Sequence, residues 1–215
     1  MRRAVLIAAT VALAAALAAQ ETRKDLPYAK IDGVDPKLTS LDVYAPKEGK
    51  DCPVMVFIHG GAWQGGDKAF AGAMPRYFTR GGYVFVSVNY RVAPAAKHPA
   101  QIEDVAKAIS WVHAHAAEFG GDAKKLFVMG HSAGAHLAAL VATDARRLKA
   151  EGLDLSAIKG AVLLDTEAYD LPALAKRFGG QLPEVWSAAF TQDPHVWADA
   201  SPATHVMPSP FRDIS

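Results

Sequence analysis

Short unbroken apolar runs alternate along the chain with longer stretches of helical spacing. Leu41-Asp-Val-Tyr-Ala45 alternates in the manner of a strand and stops at Pro46, with Glu48 to Asp51 as a turn. Pro53-Val-Met-Val-Phe-Ile58, Tyr83-Val-Phe-Val-Ser-Val88, Leu126-Phe-Val-Met129 and Lys159 to Leu164 read as strands, and a continuous apolar run is the mark of a strand covered on both faces. Between them lie three helical patterns. One covers about Phe70 to Arg80 and ends at Gly81-Gly82. The second spans Pro99 to Phe119, with Ile102, Val105, Ala106, Ile109 and Val112 on one side, and is broken at Gly120-Gly121-Asp122. The third runs from Ala133 to Ala145, with Leu137, Leu140 and Val141 inward. Strands that alternate with helices predict an α/β fold, a doubly wound and mostly parallel sheet. From Pro172 to Pro210 the period loosens, and the expectation is a partly helical excursion over the carboxyl edge of the sheet, where such folds bind ligands.

The first residues follow a different pattern. Arg2 and Arg3 precede an uncharged run from Ala4 to Ala19, closed by Ala16-Leu17-Ala18, which fits a cleavable signal peptide over residues 1–19. That run is too short to cross a bilayer. The expected protein is therefore secreted or periplasmic, with one domain over 20–215 and no stable membrane anchor. The formal charge of +1, from 23 basic and 22 acidic residues, gives no footing for nucleic acid or an anionic membrane surface. Cys52 is the only cysteine, so there is no internal disulfide, and an inert thiol just ahead of a strand is the expectation.

The chemistry concentrates at two loops. Gly130-His-Ser-Ala-Gly134 fits G-x-S-x-G between an apolar strand and a helix. A nucleophile on so sharp a turn needs small neighbours, which Gly130 and Gly134 supply, and the following helix terminus favours negative charge at Ser132. Acyl transfer also needs donors for the tetrahedral oxyanion. The N–H of Ala133 is one by position; His59-Gly-Gly-Ala-Trp63, directly after the run ending at Ile58, offers Gly61 and Ala62, with Gly60 shaping the loop.

Together with Asn89-Tyr-Arg91, Ala93-Pro94 and the helix start through Leu137, these motifs resemble α/β-hydrolase serine esterases of the hormone-sensitive-lipase and carboxylesterase type. Feruloyl/acetyl esterase-like members and kynurenine formamidase are the most similar in look. The resemblance covers about Leu41 to Tyr169 and implies Ser132 as nucleophile, Gly61, Ala62 and Ala133 as oxyanion hole, and Trp63 as pocket wall. His59 and His131 are then motif histidines that brace loops. It implies a small-molecule ester as substrate; no G-x-G-x-x-G follows a strand, so no nucleotide cofactor is expected, and the histidine spacing gives no metal site.

In such families the triad acid and the histidine follow the serine on loops after the last two strands. The chain ends at Ser215, where the first of those strands is expected, so the sheet is expected to lack its last strands and the reading favoured is an incomplete piece of an enzyme. Asp165, at a strand end, is a candidate acid and His205 a candidate base. His136 should point away from the pocket, and His113 and His115 face apart on their helix, which gives no metal pair. The strand ending at Leu164 would be an unpaired edge open to self-association. Trp63, Tyr90 and the aromatic excursion would suit an apolar or aryl acyl group. Two other functions stay open: an arylformamidase-like amidase, and a binding protein that keeps the pocket without turnover.

Overall fold

A computed structural model of the chain describes residues 20–206. The expected signal segment at 1–19 and the last positions of the excursion, 207–210, lie outside the described residues.

Six strands form one sheet: β1 (Gln20–Pro27), β2 (Ser40–Pro46), β3 (Cys52–Ile58), β4 (Val84–Val88), β5 (Gly121–His131) and β6 (Ile158–Leu164). Their order across the sheet is β1-β2-β4-β3-β5-β6. The first two join antiparallel and the rest are parallel, as the alternating pattern predicts. In the buried run of β3, successive side chains serve opposite faces. Val54, Val56 and Ile58 enter the larger core; Met55 and Phe57 pack with Phe85 and Met129 in a smaller one on the other side. A strand covered on both faces has no polar alternation to show, which is why its sequence is uniformly apolar.

The helices follow the same logic. α1 (Met74–Arg80) is shorter than the stretch expected from Phe70: a separate 3₁₀ turn covers Lys68–Ala71, and Gly72, at φ +54°, divides the two. α2 (Ala100–His115) buries all five residues of its expected stripe and continues as a 3₁₀ turn to Phe119, which Gly120 ends in the left-handed conformation. α3 (Ala133–Thr143) stops two residues early, because Asp144 turns extended and caps α4 (Ala145–Ala150) through its carboxylate and the Arg146 N–H. The excursion is helical in four short pieces: α5 (Leu171–Arg177), α6 (Glu184–Phe190), α7 (Pro194–Ala200) and α8 (Pro202–His205).

Strand β1 is absent from the sequence expectations. Its residues, Gln-Glu-Thr-Arg-Lys-Asp-Leu-Pro, carry no apolar period and are nearly all exposed. It is held by backbone pairing to β2, with an irregularity between Arg23 and Leu26, as suits a charged edge strand. At the opposite edge β6 pairs only with β5 among the described residues. Val162, Leu163 and Leu164 are there about 40% exposed (42%, 39% and 43%).

Candidate active site

The carboxyl ends of three parallel strands are level, since Gly130 aligns with Ile58 on one side and Leu163 on the other. Everything that follows those three residues therefore meets at one edge of the sheet, in the place such folds keep for ligands.

At the end of β5 the backbone turns sharply into α3. Ser132 caps that helix at φ +53°, ψ −121°, a region that costs an L-residue on the order of 1–3 kcal/mol and persists only when the surroundings enforce it. They do. The Ser132 N–H donates to the Leu164 carbonyl at 2.8 Å. A Cβ at Gly130 would overlap the Gly134 carbonyl, and one at Gly134 would overlap the Ile58 carbonyl, so both flanking glycines are sterically required. Gly60 lies close beneath: a Cβ there would come within 3.2 Å of Ser132 Cβ and 2.9 Å of the His131 carbonyl oxygen.

The loop after β3 is the second strained segment. Gly61, Ala62 and Trp63 have φ of +127°, +52° and +59°, so two L-residues join the glycine in the left-handed half of conformational space. Gln64 and Gly65 both donate to the Gly61 carbonyl at 3.0 Å, which closes the turn. No backbone bond to an acceptor engages the N–H groups of Gly61 or Ala62 among the described residues. Ala133, the first residue of α3, has a helix-start N–H, which has no partner within the helix.

Surrounding groups hold this loop. His59 is buried, donates from Nδ1 to the Gly60 carbonyl at 2.7 Å and stacks on Tyr90 at 4.4 Å, while the Tyr90 hydroxyl donates to the His59 carbonyl at 2.9 Å. Burial lowers the His59 pKa, against the opposing Gly60 bond. Trp63 Nε1–H donates to His136 Nδ1 at 3.2 Å, and His136 donates from Nε2 to the Ala200 carbonyl at 2.8 Å. His136 thus ties the loop to α3 and to the excursion, and faces away from the pocket as expected. Its burial, first of all, drives its pKa down to about 4. Farther along, Lys68 has a side chain only 4% exposed; its ammonium meets Asp42 at 3.1 Å and also Asp25 of β1. The Lys68 N–H donates to Asn89 Oδ1 at 2.6 Å, and its carbonyl accepts from Ser87 Oγ at 2.7 Å. Arg91 makes a two-pronged contact with the fully buried Asp104, at 2.8 and 2.7 Å. Asn89 and Arg91 of the N-Y-R motif are in this way scaffold residues.

Several expected placements need correction. His131 does not brace a loop: its side chain is 54% exposed, its ring makes no hydrogen bond among the described residues, and Nε2 lies 3.8 Å from Asp165 Oδ2. Tyr90 is fully buried beneath His59, so it forms no pocket wall. His205 is not brought to Ser132. It sits in α8 with Nε2 committed to the Asp199 carbonyl at 2.9 Å, because α8 packs along α3 beside Asp144. Asp165 does stand at the site's rim, at φ +57° just after β6, with its side chain 90% exposed; it neither caps a helix nor contacts a histidine at hydrogen-bond distance.

Asp144, Asp199 and His205 are the one group with metal-ligand proximity among the described residues, within 4.8 Å of one another. Their carboxylates are already spent on arginines: Arg146 reaches Asp144 and Asp199 at 2.7 Å each, and Arg147 pairs with both. Burial works against the Asp199 charge, but the His98 bond and the two arginines hold its carboxyl well below the usual range.

Two cavities meet at Ser132. One, of about 580 Å³, is bounded by Ala62 and Trp63, by Asp165 and Glu167 after β6, and by Tyr169 and Trp186. The other, of about 380 Å³, is bounded by Gly61, His131 and the apolar side chains of Phe57, Phe70, Met74 and Leu164. Glu167, Tyr169 and Trp186 line the larger cavity, and no motif marks them. The signal that could have found them is positional, since they follow β6 at the same sheet edge.

The fold and these loops define an α/β-hydrolase of the esterase type. The chain belongs to the BD-FAE family, whose model matches residues 41–210. It is 36% identical over 177 residues to esterase LipC of Mycobacterium tuberculosis, covering 77% of this chain and 44% of that protein. It is 33% identical over 161 residues to kynurenine formamidase of Danio rerio, covering 74% and 50%. The chain thus spans half the length or less of these curated relatives. Among solved structures it is similar to apo esterase 2 of Thermogutta terrifontis, with TM-score 0.63, 29% identity and 86% and 66% of the two chains covered. It also matches a truncated carbohydrate esterase from gut microbiota, with TM-score 0.69, 24% identity and coverage of 86% and 72%.

Proposed function

We propose that this chain carries the nucleophile and oxyanion hole of a serine hydrolase that cleaves small carboxylic esters. The observation that carries the reading is Ser132, held at positive φ on the end of β5, level with a strained loop whose Gly61 and Ala62 N–H groups have no described acceptor. In this scheme Ser132 Oγ attacks the acyl carbon and forms a tetrahedral intermediate, and the serine's proton passes to the departing alcohol oxygen. The N–H groups of Gly61, Ala62 and Ala133 receive its oxyanion. Collapse expels the alcohol and leaves an acyl ester on Ser132, which water then cleaves to the acid. Preorganised donors of this kind are worth about 10²–10³-fold in rate each.

A second reading, a protein that binds esters without turning them over, is favoured by one observation: no histidine hydrogen-bonds to Ser132 among the described residues. An aryl acetate and an N-formyl aryl amine, offered to the wild type and to Ser132→Ala, test both readings. Faster release from the acetate, lost in the variant, supports the esterase. Preference for the formamide makes it an amidase. Binding of both without release leaves the second reading.

Two further proposals concern the whole protein. Residues 1–19 act as an export signal, so amino-terminal sequencing of protein recovered outside the cytoplasm should start near Gln20. The exposed edge of β6 pairs with a second copy, which sedimentation over a range of concentrations would reveal.

A further inference from the structure

The two cavities at Ser132 differ in chemistry, and an ester bound there must divide its acyl and alcohol halves between them. The smaller cavity is walled by Phe57, Phe70, Met74 and Leu164, with His131 beside them, a lining that suits an apolar half. The larger is lined by the aromatic residues Tyr169 and Trp186, with the buried Trp63 behind them, and its charged lining residues among the described ones are two carboxylates, Asp165 and Glu167, with no lysine, arginine or histidine. Trp63 is fixed in orientation by Phe190, 4.9 Å away edge-to-face, and by its bond to His136. Trp186 leans on Phe178 at 5.9 Å. Arg177 offsets Glu167 from 3.2 Å, and exposed His131 lies 3.8 Å from Asp165.

Aromatic faces combined with carboxylates attract organic cations, through the ring quadrupole and through charge. We infer that the site prefers esters joining an apolar acyl group to a cationic, ammonium-bearing half over neutral or anionic esters of the same shape. The inference rests on the proposed acyl chemistry at Ser132 and names the class of substrate for it. Asp165 and Glu167 are both exposed, so water screens them and the preference is modest: about five-fold for a cation over its neutral isostere.

The test is equilibrium binding, read by tryptophan fluorescence, of butyrylcholine and of 3,3-dimethylbutyl butyrate. These differ by a positive charge at constant shape. Ser132→Ala is used so that neither ester turns over. The cation should bind about five-fold tighter at low salt, and the advantage should shrink toward about 0.5 M salt. It should vanish in the same protein with Asp165→Asn and Glu167→Gln; both side chains are exposed, so the fold should tolerate them. Equal affinities, or an advantage that survives in the double variant, would overturn the inference. Fluorophosphonate labelling of the wild type separates this from the parent reading. A labelled serine with equal affinities removes only the cation preference. An unlabelled serine with a charge-dependent advantage keeps the cation site and removes the acyl chemistry.

Discussion

The elbow at the end of β5 and the edge strand β6 lie side by side in one sheet, yet they are built by opposite rules. Around Ser132 each conformational choice is enforced from several directions. Glycines stand where a Cβ would strike backbone, a carbonyl from β6 takes the serine N–H, and His59 and Trp63 are locked by partners from distant segments. Strand β6 supplies that carbonyl but leaves its own apolar side chains about two-fifths exposed and its outer edge without a described partner. The contrast teaches that strain at the nucleophile is sustained by backbone, from the interior through β3 and α3 and from the edge through the Leu164 carbonyl alone. Beyond that one bond the side chains of the edge contribute cavity wall and surface.

The largest effect that would break this contrast is expected at Gly134. Replacing it with alanine drives a Cβ into the Ile58 carbonyl, and backbone cannot yield cheaply. Gly134→Ala should cost more than about 4 kcal/mol, seen as insoluble expression or a collapsed unfolding midpoint. A variant that folds with near wild-type stability would mean that the elbow can relax.

Next in size is the clamp beyond the oxyanion loop. Lys68→Met leaves Asp42, with its side chain 5% exposed, without a counter-charge. Stranding a buried charge costs about 3–5 kcal/mol. Urea denaturation reads the loss directly, and a change below about 1 kcal/mol would show that Lys68 does not hold the loop.

Acid should act through His136, whose Nδ1 accepts from Trp63 while Nε2–H donates to Ala200, an arrangement that requires the neutral ring. Between its ordinary value of 6.5 and its folded value of about 4, the unfolded chain takes a proton that the folded one refuses. Stability therefore rises with pH through this window and is lost on acidification, by about 3 kcal/mol in full. Unfolding midpoints at pH 7 and near pH 4.5 should differ less in His136→Asn than in the wild type. An identical pH response in the two would remove His136 as the sensitive group.

The smallest effect belongs to the edge. Val162→Lys should change stability by no more than about 0.5 kcal/mol and should reduce any concentration-dependent association. A loss of several kcal/mol would place Val162 in a packed core after all.

Much of this organisation was legible in the residues themselves. The continuous apolar run of β3 announces burial on two faces, and G-x-S-x-G between a strand and a helix announces the elbow. Other features lay beyond local pattern. Strand β1 is polar from Gln20 to Asp25 and is held mainly by backbone pairing, so no side-chain period betrays it. Tyr90 reads as a pocket aromatic until the fold shows its hydroxyl spent on His59. Lys68 and Asp42 are 26 positions apart and look like ordinary solvated charges until three strands converge on them. The left-handed backbone of Ala62 and Trp63 has no signature in residues that usually avoid it. What stayed hidden is in each case a non-local partner.

The central claim is that Ser132 is a nucleophile presented to preorganised donors. Its most direct test is mass-spectrometric detection of a fluorophosphonate adduct on the folded chain and on Ser132→Ala. The account predicts a single adduct, on the peptide containing Ser132, that disappears in the variant. A folded chain that takes up no label, or a label that persists when Ser132 is alanine, would contradict it.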